Sequence, residues 1–266
     1  MKRQFAHKIS LGQNFLVNPR VSEMCLNAGG LSSSDVVLEI GPGQGALTSY
    51  LLKSEVSFVH AIEIDTRLSD WLSPLELEYP QKFKIFWGDV LKCELFSLTP
   101  LPTKVLANIP YNITSDLIWK ILEELAPLGL KRVILLIQKE AAERLSAPPC
   151  TKDRCPLGIT IQLMGGVKTI MKVSPGSFSP PPKVWSSLMK IDIKRNISLA
   201  SETPWQEMLK AAFSQRRKKL INCLSNSSYS KDELTTAFKS ADIPENARAE
   251  ELTCEQWLAL FKLLTQ

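Results

Sequence analysis

Through the first two thirds of the chain, short β-rich apolar runs alternate with stretches of helical periodicity, the pattern of a parallel sheet covered by helices. Seven strands are expected: VVLEI (36–40), FVHAIEI (58–64), KFKIFWGDV (82–90), KVLANI (104–109), RVILLI (132–137), TIMKV (169–173) and SLMKIDI (187–193). Helices at 46–54, 66–77 and 114–125 fit the crossovers, and Asn18-Pro19 reads as an N-cap followed by proline at the first helical position. The last two strands have no clear helix between them, so an antiparallel hairpin at the sheet edge is expected. Beyond Lys194 the pattern turns wholly helical. Thr203-Pro204 opens a helix predicted to run to about Leu224, and Ser230 with Glu233, like Thr253 with Gln256, has the spacing of a capping box. The chain therefore reads as an α/β domain, 1–196, followed by a small all-helical domain, 197–266.

Composition narrows the class. With 266 residues, 44% of them hydrophobic, the chain can bury one large or two unequal cores, which excludes disorder. Its longest aliphatic run, Val133 to Ile137, is too short to cross a bilayer, and the basic start MKRQFAHKIS lacks the apolar region of a signal peptide. A cytoplasmic protein is expected. The six cysteines (25, 93, 150, 155, 223, 254) contain no C-x-x-C pair and lie far in sequence from His7 and His60, so neither a disulfide framework nor a metal site is expected. Charge is uneven: residues 1–130 carry a net −3 and residues 131–266 a net +8. Positive charge gathered on one half suggests a polyanionic partner.

The candidate chemistry follows the strands. EIGPGQGALT comes directly after the first clear strand, and Gly41, Gly43 and Ala46 satisfy G-x-G-x-x-G/A, where glycine lets the backbone approach a nucleotide. That loop alone does not separate a nicotinamide dinucleotide from S-adenosylmethionine. Glu63, at the end of the second strand, can accept hydrogen bonds from both ribose hydroxyls of either. Asp89, closing the third strand, is placed to meet an adenine amino group. The tetrapeptide Asn108-Ile109-Pro110-Tyr111 at the end of the fourth strand points to methyl transfer. An exocyclic adenine amine is a poor nucleophile because its lone pair is delocalised into the ring. Two acceptors, the Asn108 side-chain oxygen and the Pro110 carbonyl, would hold its protons and favour the pyramidal form, while Tyr111 stacks on the base. No general base is needed, since the alkylated nitrogen is acidic enough to lose its proton to solvent or a carbonyl.

These residues resemble a known family, the S-adenosylmethionine-dependent ribosomal RNA adenine N6-dimethyltransferases of the KsgA type. The resemblance runs nearly the full length, through four ordered motifs: GQNFLVNP, EIGPGQGALT, NIPYNIT and FSPPPKVWS. It implies a Rossmann-like class I methyltransferase sheet. It further implies that Asn14, Leu16, Gly41, Glu63, Asp89 and Asn108 line the S-adenosylmethionine site and that Asn108 also faces the target amine. Phe178 would pack on the adenine opposite or edgewise to Tyr111, and Lys183 would touch a phosphate. The implied substrate is a pair of adjacent adenosines in the 3′-terminal hairpin of small-subunit rRNA, within a pre-30S particle, and the protein is expected to act as a monomer.

Extruding a base costs stacking energy that the pocket must offset, whereas the RNA around it would be recognised through shape and phosphate. Residues 131–219 carry 17 Lys and Arg against 6 Asp and Glu, and SQRRKKL (214–220) is expected to place Arg216, Arg217, Lys218 and Lys219 within about one turn of the long helix as RNA contacts. One stretch departs from the family: CTKDRCPL (150–157) stands where a glycine-containing segment like GTKDYGRL is usual, so Cys150, Arg154, Cys155 and Pro156 replace flexible and aromatic positions. Three other readings are open. A large-subunit rRNA methylase of the macrolide-resistance kind shares the motifs, although AAFSQRRKKLINCL and RAEELTCEQWLAL resemble the small-subunit family more closely. A ribosome-assembly or transcription factor would keep the RNA surface without needing catalysis, and a nicotinamide-dependent dehydrogenase would share only the loop.

Overall fold

Val36–Ile40 is buried at all five positions, as a strand covered on both faces must be, and the sheet is built around it. In the computed structural model, which describes residues 13–195, 197–227 and 229–265, the chain runs β1 (Phe15–Leu16), α1 (Pro19–Gly29), β2 (Val36–Ile40), α2 (Thr48–Lys53), β3 (Phe58–Glu63), α3 (Ser69–Glu78), β4 (Phe83–Trp87), β5 (Lys104–Asn108), α4 (Thr114–Leu125) and β6 (Arg132–Gln138). It continues through α5 (Lys139–Leu145), α6 (Pro156–Met164), β7 (Gly165–Val173), β8 (Phe178–Ser179) and β9 (Ser186–Ile193). The remaining helices are α7 (Thr203–Ala212), α8 (Leu220–Leu224), α9 (Lys231–Ser240) and α10 (Cys254–Leu264). All seven expected strands form, with ends shifted by a few residues.

They make one sheet in the order β4-β3-β2-β5-β6-β9-β7, while β1 and β8 pair separately as a two-stranded ribbon. The pairs from β4 to β6 are parallel, and β9 runs antiparallel to β6. The chain builds outward from β2 through β3 and β4, then returns to β5 on the other side of β2. That reversal is the switch point at which open α/β sheets leave a crevice beyond their carboxyl ends. β7 forms the sheet edge beside β9, and the chain between them, rather than closing a simple hairpin, passes through β8.

Asn18 caps α1 by accepting from the Arg20 amide, with Pro19 opening the helix. Both capping boxes, Ser230–Glu233 on α9 and Thr253–Gln256 on α10, are closed in both directions. Behind β2, Asp35 pairs with Lys104 at 2.7 Å, both side chains being almost wholly buried. Lys104 also donates to the Gly30 carbonyl, while Ser32 and Thr103 donate to the Asp35 carboxylate. The ion pair therefore ties the start of β5 to the turns around β2 with its polar atoms satisfied, which is the condition for a buried pair to be tolerated.

Two compact units emerge: residues up to Ala142 together with Lys168–Asp192, and Glu143–Val167 together with the residues from Ile193 onward. This differs from a single cut at 196/197, where Asn196 itself lies outside the described residues. The chain enters the helical unit twice, because α6 joins α7 there, with the Trp205 indole donating to the Thr160 hydroxyl at 2.9 Å. Seven of the nine residues of α6 are buried, so it carries no amphipathic stripe by which its sequence would announce a helix.

The long helix expected from Thr203 to Leu224 does not form. α7 stops at Ala212, where the Ser214 hydroxyl turns back onto the Ala211 carbonyl. The chain resumes helically only at Leu220, whose amide is drawn onto the Ala247 carbonyl. Arg216, Arg217, Lys218 and Lys219 therefore occupy an exposed loop rather than a helical turn. Four adjacent cations repel one another, and a loop lets them diverge. In the atypical stretch 150–157, Arg154 folds inward, 1% exposed, and donates to the Ala147 carbonyl and the Cys254 sulfur. Cys155 and Pro156 there open α6.

Candidate active site

The crevice beyond the sheet's carboxyl edge is a cleft of about 740 Å³, counted out to open solvent, and most of its walls are the ends of the central strands. Each strand end contributes a different group. After β2 the chain turns through Gly41 and Gly43, whose φ angles of +68° and +59° are readily adopted only by glycine. A Cβ on Gly43 would also fall 2.7 Å from the Phe15 ring, so the loop is packed onto the ribbon that β1 forms with β8. The Glu63 carboxylate, at the end of β3, accepts from the Gly43 amide at 3.1 Å and the Asp65 amide at 2.9 Å. Those bonds orient it and leave lone pairs for two further donors. Burial raises its pKa, and the two amides act against that rise.

Asp89 lines the same cleft just after β4, with one carboxylate oxygen closing a turn onto the Leu91 amide at 3.0 Å. Asn108, the last residue of β5, donates through Nδ2 to the Asn14 backbone carbonyl at 2.9 Å. This bond fixes the amide so that its oxygen is the atom left to accept. Pro110 follows in extended geometry, and its carbonyl takes only long contacts from the Ile113 amide (3.3 Å) and the Thr114 hydroxyl (3.5 Å). Tyr111 is half-buried, its hydroxyl 2.9 Å from that of Ser186 at the start of β9. Partial burial lifts the phenol above its ordinary pKa.

The cleft thus gathers Asn14, Gly41, Gly43, Glu63, Asp89, Asn108, Pro110 and Tyr111 from widely separated parts of the sequence. Leu16 belongs to a smaller adjoining recess beside the glycine loop. Phe178 corrects the expected pair of aromatic platforms: it is 4% exposed, paired with Leu16 in the two-stranded ribbon and packed in the core. A ring so enclosed presents no face to a base, whereas Tyr111 lines the cleft. Lys183 is exposed, as are Arg217, Lys218 and Lys219. Arg216 is exposed too, but it is tied by its guanidinium to the Lys152 carbonyl at 2.7 Å within the helical unit. Gly12, the first residue of GQNFLVNP, lies outside the described residues, as do the start MKRQFAHKIS and its His7.

Sequence reasoning overlooked three participants. Ser186 steadies Tyr111 and Phe15 backs the glycine loop; they belong to FSPPPKVWS and GQNFLVNP, but their roles depend on partners distant in sequence. The third is Glu39 on β2, 2% exposed beside that loop with Oε2 unpartnered. Burial, reinforced by the nearby Glu63 charge, pushes its pKa up to about 8. Among the described residues no cluster of three or more His, Cys, Asp or Glu side chains is placed to hold a metal ion, and no helix is long and apolar enough to cross a membrane.

Comparison with known proteins converges on one family. A family model described as ribosomal RNA adenine dimethylase matches residues 4–266. A ribosomal RNA small subunit methyltransferase A of Prochlorococcus marinus is 37% identical, the match covering 97% of this chain and 95% of that protein. Among solved structures, a dimethyladenosine transferase from Plasmodium falciparum superposes with a TM-score of 0.79 at 28% identity, covering 92% of this chain and 95% of the other. The 23S rRNA methyltransferase ErmE superposes at 0.71 with 25% identity, covering 95% and 100%. A match this complete, on a chain whose cleft gathers the strand-end groups described above, makes the protein a member of the ribosomal RNA adenine dimethylase family.

Proposed function

We propose that the protein transfers methyl groups from S-adenosylmethionine to the N6 atoms of two adjacent adenosines in the 3′-terminal hairpin of small-subunit rRNA. The observation that carries this reading is the Asn108 amide, pinned by its donor side to Asn14 so that its oxygen serves as an acceptor in the cleft. The residues present fit the cofactor: a glycine loop in which positive φ at Gly41 and Gly43, and Phe15 packed against Gly43, disfavour side chains, and a buried carboxylate with acceptor capacity for ribose hydroxyls. When bound, S-adenosylmethionine supplies an electrophilic methyl group on a sulfonium. Glu63 orients the ribose, Asp89 meets the adenine amine, and Asn14, Leu16, Gly41 and Gly43 shape the remainder.

The target base is held by the chain's own groups. In the first transfer Asn108 Oδ1 and the Pro110 carbonyl each accept one N6 hydrogen, which localises the nitrogen lone pair; the alkylated nitrogen then releases a proton to solvent or a carbonyl, and in the second transfer the one remaining hydrogen takes one of the two acceptors. Preorganised acceptors of this kind stabilise charge as it develops, and each is worth about a hundred- to a thousand-fold in rate. Tyr111, held at its hydroxyl by Ser186, stacks on the base. Lys183 and the loop cations Arg217, Lys218 and Lys219 contact phosphates, with Arg216 shaping that loop. The enzyme works as a cytoplasmic monomer on a pre-30S particle.

Purified small and large ribosomal subunits lacking the modification, incubated separately with the protein and methyl-labelled cofactor, test this directly. Label on dimethyladenosine in the small subunit is expected. Label confined to the large subunit would replace this reading with the macrolide-resistance type.

A further inference from the structure

Trp185 is 51% exposed, although tryptophan is the costliest side chain to leave in water. Its position is set by the register of β9. Ser186 pairs with Gln138, the last residue of β6, so the residue before it stands at the carboxyl edge of the sheet, the edge along which the cleft lies. Its backbone is pinned as well: the Trp185 carbonyl accepts from the Lys139 amide at 2.9 Å. The next residue, Ser186, holds the Tyr111 hydroxyl. Lys183 and Val184, immediately before it, are also exposed. An exposed indole on a pinned backbone, at the same sheet edge as the residue that supports the target-stacking tyrosine and with a cation two residues away, has the composition of a single-stranded nucleic-acid platform, in which aromatic faces take bases and cations take phosphates.

We propose that Trp185 is the stacking platform for the nucleobase next to the target adenosine, with Lys183 contacting the intervening phosphate. The inference rests on the adenosine-methylating reading above and adds a second base subsite to it. Stacking is indifferent to base identity, because every base has a π-face. The platform therefore holds the nucleotide on one side of the target, whatever its base, while the target occupies the cleft. In this role Trp185 is a binding residue; the acceptors on the target amine are untouched.

The test uses the full-length protein and a synthetic RNA hairpin with two adjacent loop adenosines, intact or abasic at the position beside the target. Trp185→Ala is expected to raise the RNA dissociation constant about 5- to 150-fold on the intact hairpin, and Trp185→Phe to restore most of the loss. On the abasic hairpin, parent and Trp185→Ala proteins are expected to bind alike, since the base that stacks is gone. Equal binding of parent and Trp185→Ala to the intact hairpin overturns the proposal. So does a loss that persists undiminished on the abasic hairpin, as it would if Trp185 were structural or met a protein partner. Calorimetric titration with S-adenosylmethionine should be the same for parent and variant. If the parent binds the cofactor but neither binds nor methylates the intact hairpin or small subunits, the adenosine-methylating reading itself has failed, and the subsite with it.

Discussion

Replacing Asn108 by alanine removes two hydrogen-bonding functions with different consequences. On the donor side, the 2.9 Å bond from Nδ2 to the Asn14 carbonyl is lost. A net hydrogen bond is worth about 1 kcal/mol, so the segment around Asn14 loosens and cofactor affinity should fall about five-fold. On the acceptor side, the oxygen that would hold the target amine disappears, and losing one such preorganised dipole typically costs about a hundred- to a thousand-fold in kcat. The two effects separate experimentally. Single-turnover methylation of small subunits at saturating cofactor reads the second, and calorimetric titration with S-adenosylmethionine reads the first. The expected signature is a rate loss far larger than the affinity loss, with RNA binding largely kept. A variant within ten-fold of the parent rate, or one whose entire defect vanishes at high cofactor concentration, would refute the argument and reduce Asn108 to a prop for Asn14.

Further outcomes follow from the same geometry. Tyr111→Phe and Ser186→Ala each break the 2.9 Å hydroxyl contact, so each should slow methylation about 2- to 10-fold, and the double variant should be no slower than the worse single one; additive losses would show that the two act independently. Lys104→Met leaves the Asp35 carboxylate buried without its cation and should cost about 3–5 kcal/mol in denaturant unfolding. Burial pushes Asp35 up, but hydrogen bonds from Lys104, Ser32 and Thr103 more than offset this and hold its pKa at about 2 against an ordinary 3.8. A depressed carboxyl contributes stability above pH 4 and loses it as pH falls toward 2, so the parent's advantage over Lys104→Met should shrink across that window. Glu39 has the opposite sign: it keeps its proton to about pH 8 in the fold, whereas the unfolded chain releases it above about 4.5. Stability therefore falls as pH rises between those values, and Glu39→Gln should gain on the parent over that interval, by on the order of 3 kcal/mol at pH 7. Parallel melting curves for the two proteins from pH 5 to 8 would contradict the raised value.

Much of this protein is legible in its sequence. Buried parallel strands write themselves as apolar runs, and caps such as Asn18-Pro19 or Ser230 with Glu233 are satisfied within four residues, so local sequence contains both partners of the interaction. The strand-end residues Gly41, Glu63, Asp89 and Asn108 were readable for the same reason, since each is the polar residue or glycine that closes or follows an apolar run. Other features depend on partners distant in sequence. The helix expected through Arg216–Lys219 yields to a hydrogen bond from the Leu220 amide to the Ala247 carbonyl and to repulsion among neighbouring cations. The mostly enclosed α6 has no amphipathic stripe to reveal its period, and it joins the helical unit through distant partners such as Trp205, whose indole reaches Thr160. Phe178 and Trp185 occupy the same proline-rich motif, yet one is sealed in a ribbon with Leu16 and the other stands at the sheet edge. A linear pattern encodes what an element is, because propensity and capping act over one turn or one strand. Which aromatic ring meets a base is decided by strand register and burial, and those are properties of the assembled sheet.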